Sequence, residues 1–345
     1  MKIAVLNNCV PFLRGGAEHL ADALVTKLAE YGHQALLVRI PFRWDPPGKI
    51  VEHMLACRLM RLPNVDRAIA LKFPTFYVPH PNKVFWLLHQ FRQAYDFWGT
   101  EFQGLPDTPE GRAIREVVIQ SDNSYLPEAR KIYTNSAVTA GRLKKFNGLD
   151  AEVLHPPLLS HAQYATGDFG DYIFCPGRIN GTKRQRLLVE SMQHCRTAVR
   201  LLVAGATETK TDAESIRALI RKHSLDQRVT FIDRFITESE KVDWFAKSLG
   251  CAYIPFDEDS YGYVTLESYL SRKPVITCND SGGIDALVKD GTTGHLVEPR
   301  PEAIAEAMDQ LFLDRPRARR LGEAGYDLVQ SLRINWDTVM EKLTK

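Results

Sequence analysis

Short apolar runs alternate along the chain with longer stretches in which apolar positions recur every three or four residues. The first pattern predicts buried strands and the second amphipathic helices. In the first half the spacing predicts strands over Lys2–Leu6, Gln34–Arg39, Arg67–Leu71, Lys83–Leu88 and Lys131–Asn135. Helices are predicted near Ala17–Tyr31, Ile50–Leu62 and Ser136–Phe146, with a polar middle stretch before the fifth strand and a Pro-Pro closing Glu152–Pro157. From about Leu158 to Gly170 the chain is weakly periodic and rich in small and polar residues, which predicts a linker. A second series follows, with strands over Tyr172–Cys175, Ala198–Ala204, Val229–Ile232, Cys251–Phe256 and Val275–Cys278. Its helices cover Lys183–Met192, Asp212–His223, Glu238–Lys247, a stretch starting near Gly262, and Pro301–Phe312. Ala318–Leu343 reads as helical with one interruption near Asn335. Strands alternating with helices predict an α/β chain, here two Rossmann-like domains facing each other across a cleft. Ligand is then expected at the carboxyl edges of the sheets, where strands give way to loops.

A length of 345 residues fits two such domains of roughly 150 to 180 residues better than one core. The near-balanced formal charge of +2 implies no nucleic-acid partner. No apolar run approaches the ~20 residues of a bilayer span, and the N-terminus enters a strand without a signal-peptide pattern, so a cytoplasmic protein is expected. Six scattered cysteines without a CxxC pair read as reduced core residues, not as zinc ligands or disulfides. Lys49–Lys72 places Arg58, Arg61 and Arg67 among apolar residues. It reads as a core helix with solvated arginines or, alternatively, as a basic helix giving the N-terminal domain peripheral contact with the inner face of a membrane.

The chemistry falls in the loops after strands. Gly177-Arg178-Ile179-Asn180-Gly181-Thr182-Lys183 follows a strand and sets two cations five apart across a glycine-containing turn. That arrangement can aim both at one anion, such as a departing diphosphate; the plain alternative is a solvated loop with two surface charges. Asp259-Ser260-Tyr261-Gly262-Tyr263-Val264-Thr265-Leu266-Glu267 follows another strand. Ser260 or Asp259 can cap the helix there, leaving amides from Tyr261 onward for an anion or hydroxyls, with Gly262 allowing close approach. Glu267 is placed about two turns above Asp259 on much the same face; the alternative is a capped helix with an exposed Glu.

These two segments resemble family 4 of the retaining glycosyltransferases, which have the two-Rossmann GT-B fold. Arg178 and Lys183 match the family's Arg and Lys, and Asp259 and Glu267 match its two acids eight apart, with Asp where Glu is usual. The resemblance implies that Arg178 and Lys183 grip the donor diphosphate and that Asp259, or Glu258 beside it in its place, contacts the donor sugar. It also implies that Glu267 holds the ribose and that amides near Tyr261, Gly262, Tyr263 and Val264 bind sugar hydroxyls and phosphate. Ser281-Gly282-Gly283-Ile284-Asp285 and the D-G-x-x-G-x-L-V stretch from Asp290 are similar to family segments, without the usual Pro-Glu. Gly15-Gly16-Ala17-Glu18 matches the glycine-rich loop over the donor phosphate and acceptor. His89, ending a strand, matches a histidine that approaches the reacting sugar. Trp336 falls where the family has a helix returning to the first domain. The implied organisation is residues 1–160 as the acceptor-side domain, 161–320 as the donor domain, and 321–345 packing back on the first.

The resemblance further implies a UDP- or GDP-sugar donor, a sugar or lipid-linked acceptor in surface-polysaccharide or glycolipid assembly, and no cofactor or metal. Asp257-Glu258-Asp259 spells a D-x-D metal signature, but Arg178 and Lys183 can already neutralise a diphosphate. A related epimerase or phosphorylase, or a non-catalytic sugar-nucleotide binder, is the alternative. A dehydrogenase is disfavoured because the first loop lacks G-x-G-x-x-G.

Overall fold

The computed structural model describes residues 1–12, 15–159 and 163–345; residues 160–162, inside the expected linker, lie outside the described residues. The chain divides into two compact units, Met1–Leu159 with Asn335–Lys345, and Ser160–Ile334.

Unit 1 begins β1 (Lys2–Cys9), α1 (Gly16–Glu30), β2 (Gln34–Pro41), α2 (Gly48–Leu59), β3 (Arg67–Ala70) and β4 (Lys83–Leu87). It continues α3 (Pro109–Tyr125), β5 (Lys131–Thr134), α4 (Ala137–Asn147) and β6 (Glu152–Val153). Its sheet is parallel in the order β2-β1-β3-β4-β5-β6, so the chain reverses direction between β1 and β3. One face buries α2, α3 and α4, the other α1.

Unit 2 runs β7 (Tyr172–Pro176), α5 (Gln185–Ser191), β8 (Arg200–Ala204), α6 (Lys210–Lys222), β9 (Val229–Ile232) and α7 (Glu238–Lys247). Then come β10 (Gly250–Ala252), α8 (Tyr263–Leu270), β11 (Val275–Cys278), β12 (Gly294–Val297), α9 (Pro301–Leu313) and α10 (Arg315–Ser331). Its parallel sheet is ordered β12-β11-β10-β7-β8-β9, the doubly wound order with a switch between β7 and β10. The last helix, α11 (Trp336–Thr344), packs with unit 1.

Several elements depart from the periodicity. The polar middle stretch holds the 17-residue α3, capped by Thr108 Oγ1 accepting from the Gly111 amide at 3.2 Å. Its buried stripe is Gly111, Ile114, Val118 and Asp122, and only two of those are apolar enough to register. The expected Lys183–Met192 helix starts at Gln185, because Arg184 takes a left-handed φ of 54° that separates a 3-10 turn from α5. The expected strand to Phe256 stops at Ala252, and the Ile254 and Pro255 carbonyls turn away to accept from Arg184.

The change of unit comes at Asn335 rather than 321. Helix α10 is nested on α8: a Cβ on Gly325 would stand 2.3 Å from Tyr269 Cδ1, and one on Gly322 2.1 Å from the Arg272 carbonyl oxygen. Asn335 then caps α11, its Oδ1 accepting from Thr338 N at 2.9 Å.

The stretch weighed as a membrane-surface helix ends, as a helix, at Leu59. Arg58 donates to Glu128 at 2.8 Å and lies 4.1 Å above the Tyr125 ring, while Arg67 is buried and donates to the Leu343 and Lys345 carbonyls. Among the described residues no helix is long and apolar enough to cross a membrane. The six cysteines are free thiols, and burial pushes those of Cys57, Cys175, Cys195 and Cys278 up to about 12.

Candidate functional site

Because every strand is parallel, the loops after them collect at one edge of each sheet. In unit 2 the switch point sets the loop after β7 beside the loop after β10. Three contacts lace them together: the Phe256 amide donates to the Thr182 carbonyl at 2.7 Å, and the Arg184 guanidinium donates to the Ile254 and Pro255 carbonyls at 2.8 Å. Arg184 is also paired bidentately with Asp280, at 2.7 and 2.8 Å, which joins the loop after β11 to the same knot.

Lys183 projects into this knot. Its Nζ donates to Tyr253 Oη at 2.9 Å and is in contact with the Glu258 carboxylate, to which Tyr253 also donates at 3.1 Å. Burial would lower the pKa of this amine, but the neighbouring Tyr253 and Glu258 outweigh it and hold the value above the ordinary lysine range. Arg178 differs: its side chain is 51% exposed and only loosely paired, with Nε 3.9 Å from Glu208. Its backbone is fixed, since Gln185 Nε2 donates to the Arg178 carbonyl at 3.0 Å. A Cβ on Gly177 would stand 4.0 Å from Val264 Cγ2, so the two motif segments meet here.

The start of α8 is built differently from the expected cap. The N-cap position is held by Gly262 and not by Ser260 or Asp259. Its φ of 69° and the 2.3 Å that would separate a Cβ from Tyr253 Cε1 both demand glycine. First-turn amides of any helix lack intrahelical partners, and a glycine N-cap brings no side chain of its own to them. Asp259 precedes the helix, so its eight-residue spacing from Glu267 does not represent two turns of one helix. Tyr261 is fully buried, so only its backbone can serve a ligand.

Glu267 is not an exposed helix residue. It is buried, with Oε1 2.5 Å from Lys241 Nζ, and that lysine also pairs with Glu238 at 2.9 Å. Burial pushes the Glu267 pKa up against the pull of Lys241. Tyr164 completes the cluster by donating to Glu238 at 2.5 Å. The sequence reading missed Lys241 and Tyr253 as members of this site. Glu258 carried a signal, standing beside Asp259 in the acidic triplet; Lys241 lies on an ordinary amphipathic helix and carried none.

In unit 1 the loops after β1, β3 and β4, three neighbouring strands, carry the expected residues. The Gly15 amide donates to Glu18 Oε2 at 2.8 Å, and Gly16 opens α1. Glu18 Oε1 lies 3.6 Å from Lys72 Nζ. His89 lies two residues after β4, with Nδ1 2.7 Å from the Gln90 carbonyl. A carbonyl only accepts, so Nδ1 carries the proton and Nε2 presents a lone pair. Burial, helped by Lys72, lowers the His89 pKa to about 4, which keeps the ring neutral near pH 7. Asn7, near the end of β1, was also missed. It is buried and neither side-chain polar atom has a partner among the described residues.

Residues 160–328 match the family model of the glycosyl transferases, group 1. The D-inositol 3-phosphate glycosyltransferase of Nocardia farcinica is 27% identical over 238 residues, covering 63% of this chain and 51% of the relative. The GDP-mannose-dependent alpha-(1-6)-phosphatidylinositol monomannoside mannosyltransferase of Mycobacterium tuberculosis is 28% identical over 209 residues, 57% of this chain and 53% of the relative. The chain thus spans about half the length of the curated relatives it matches. Among solved structures, Anabaena HepE in complex with UDP-glucose superposes with a TM-score of 0.74 at 15% identity, covering 100% of both chains. At that identity the likeness establishes the fold.

Proposed function

We propose that this chain, whose residues 160–328 match the family model of the group 1 glycosyl transferases, moves a sugar from a UDP- or GDP-sugar to an acceptor hydroxyl with retention of configuration. The observation that carries this reading is the knot at the unit 2 switch point, where Lys183, the exposed Arg178 and the glycine-capped start of α8 share one edge. Cations and helix amides together are the natural partners of a diphosphate whose charge grows as its bond to the sugar breaks. Glu267 accepts from the ribose hydroxyls, and Asp259 contacts the donor sugar. The acceptor hydroxyl attacks the face from which the diphosphate departs and gives its proton to the leaving phosphate, so no protein nucleophile takes part. Neutral His89, with its Nε2 lone pair, is suited to accept from a sugar hydroxyl on the acceptor side.

With two cations to neutralise the diphosphate, turnover proceeds without metal and survives EDTA. A lipid-linked acceptor in glycolipid or surface-polysaccharide assembly is favoured by the phosphatidylinositol mannoside acceptor in the mycobacterial relative's name. The decisive assay is acceptor-dependent release of UDP or GDP from a panel of sugar nucleotides. Arg178→Ala and Lys183→Ala are each expected to lower kcat/KM at least a hundredfold, in line with removing one charge-stabilising group. Near-wild-type turnover in both would overturn the assignment, and donor hydrolysis or isomerisation without an acceptor requirement would favour an epimerase or phosphorylase.

A further inference from the structure

Within the acidic triplet Asp257-Glu258-Asp259, the proposed function assigns only Asp259. Among the described residues no group of three or more His, Cys, Asp and Glu side chains is arranged to hold a metal ion. Instead the Glu258 carboxylate closes a triangle with Lys183 Nζ and Tyr253 Oη. Its backbone is gripped on both sides: the Glu258 amide donates to the Ser281 carbonyl at 3.1 Å, and its carbonyl accepts from Gly283 N at 2.8 Å. Glycine is required opposite. A Cβ on Gly282, whose φ is 69°, would stand 2.3 Å from the Glu258 carbonyl oxygen, and one on Gly283 2.8 Å from Ser260 Cα. The glycine pair therefore seats Glu258, and Glu258 places an anion on the cation assigned to the diphosphate.

We propose that Glu258 is an internal anion that competes with the diphosphate for Lys183 and speeds release of the nucleoside diphosphate product. The inference rests on the proposed function, because Lys183 must be the diphosphate's partner. An ammonium has three N–H donors, of which Tyr253 and Glu258 engage two. A diphosphate arriving at the third meets the carboxylate's charge across the same Nζ, and the like charges repel. The repulsion is greater for product than for donor. Transfer frees a terminal phosphate whose second ionisation lies near pH 6, so the product carries about one more negative charge than the sugar-linked donor. Glu258 thus favours donor over product, and it returns fully to Lys183 as the product leaves.

The test is calorimetric titration of UDP and GDP into the full chain, with dissociation rates from stopped flow, for wild type, E258Q, E258A, D257N, K183A and K183A/E258Q. E258Q, or E258A if E258Q does not fold, is expected to bind the preferred nucleotide about tenfold tighter through slower dissociation, the size of effect seen for close charge pairs at binding sites. The gain should disappear in K183A/E258Q relative to K183A, and D257N, which removes a neighbouring charge that the triangle does not include, should give a much smaller one. Unchanged or weaker affinity in the Glu258 variants overturns the inference, as does an equal gain from D257N or a gain that persists without Lys183. If K183A itself binds like wild type, or wild type binds neither nucleotide, the proposed function fails and the inference falls with it.

Discussion

At His89 the protonation state decides what the residue can do. Its pKa, lowered from 6.5 to about 4 by burial with Lys72 as a second cause, means that the folded protein declines a proton which the unfolded chain accepts. Stability from this group is therefore fully present above pH 6.5 and is lost as pH falls toward 4. In the assay, kcat/KM should show no His89 limb near pH 6.5 and should decline only as pH nears 4. His89→Gln keeps an acceptor but cannot titrate, so it should lose that acid limb while retaining part of the activity. Asp122 provides the opposite sign. It is buried and accepts from Tyr77 at 2.6 Å and Tyr95 at 2.7 Å, yet burial raises its pKa from 3.8 to about 6. Its contribution is full below pH 3.8 and is lost as pH rises through 6, about 3 kcal/mol in all at 1.36 kcal/mol per unit. Chemical denaturation of Asp122→Asn at pH 4 and pH 7 should show that pH-dependent loss removed. Single residues were the least legible in the sequence. Spacing singled out Lys183 and Glu267, but their partners Glu258 and Lys241 stand 75 and 26 positions away and become neighbours only through the sheet order.

Strand and helix positions followed closely from apolar periodicity, because a buried parallel strand needs a continuous apolar run. Their ends did not follow, because ends are decided by hydrogen bonds that periodicity does not encode. Helix α5 begins late since Arg184 turns left-handed to reach Asp280 and two carbonyls, and α8 begins on a glycine N-cap since Gly262 must clear the Tyr253 ring. The pairing of α7 with α8 yields a prediction at this scale. Lys241 is the cation that offsets a carboxylate buried at Glu267. Lys241→Met leaves that charge uncompensated, which costs about 3–5 kcal/mol when a buried pair loses one member. The Glu267 carboxyl, already shifted upward by burial, shifts further, so the penalty is small where it is protonated and grows as pH rises. Thermal melts should find the variant close to wild type near pH 5 and well below it at pH 8, with Lys241→Arg restoring the difference. A uniform Tm loss across that range would mean that Lys241 merely fills space.

For the whole molecule, chain order and unit order differ: the chain ends by supplying a helix to the unit it began with. Trp336, Val339, Met340 and Leu343 of α11 are buried in the same apolar cluster as Ile3, Val5, Leu24 and Trp86. The closure is polar as well. Trp336 Nε1 donates to the Leu158 carbonyl at 2.7 Å, Tyr133 Oη to the Lys342 carbonyl at 3.0 Å, and Arg67 to the Leu343 carbonyl at 2.7 Å. Burying four such side chains at about 1.5–3 kcal/mol each stabilises unit 1 by roughly 6–12 kcal/mol, comparable to the ~5–15 kcal/mol by which a whole domain is stable. Ending the chain at Ile334 should therefore leave unit 1 largely unfolded, while unit 2, which draws no strand or helix from that segment, keeps its own transition. Limited proteolysis with mass spectrometry checks this. Rapid cleavage is expected throughout residues 1–159 of the truncated chain, with a protected core from β7 to α10. Equal protection of both units would show that α11 is an accessory to the unit 1 core instead of its missing wall. Calorimetry then tests the two roles proposed for this chain. A truncated protein that still binds the nucleotide but no longer transfers sugar would place donor grip in unit 2 and the acceptor side in unit 1.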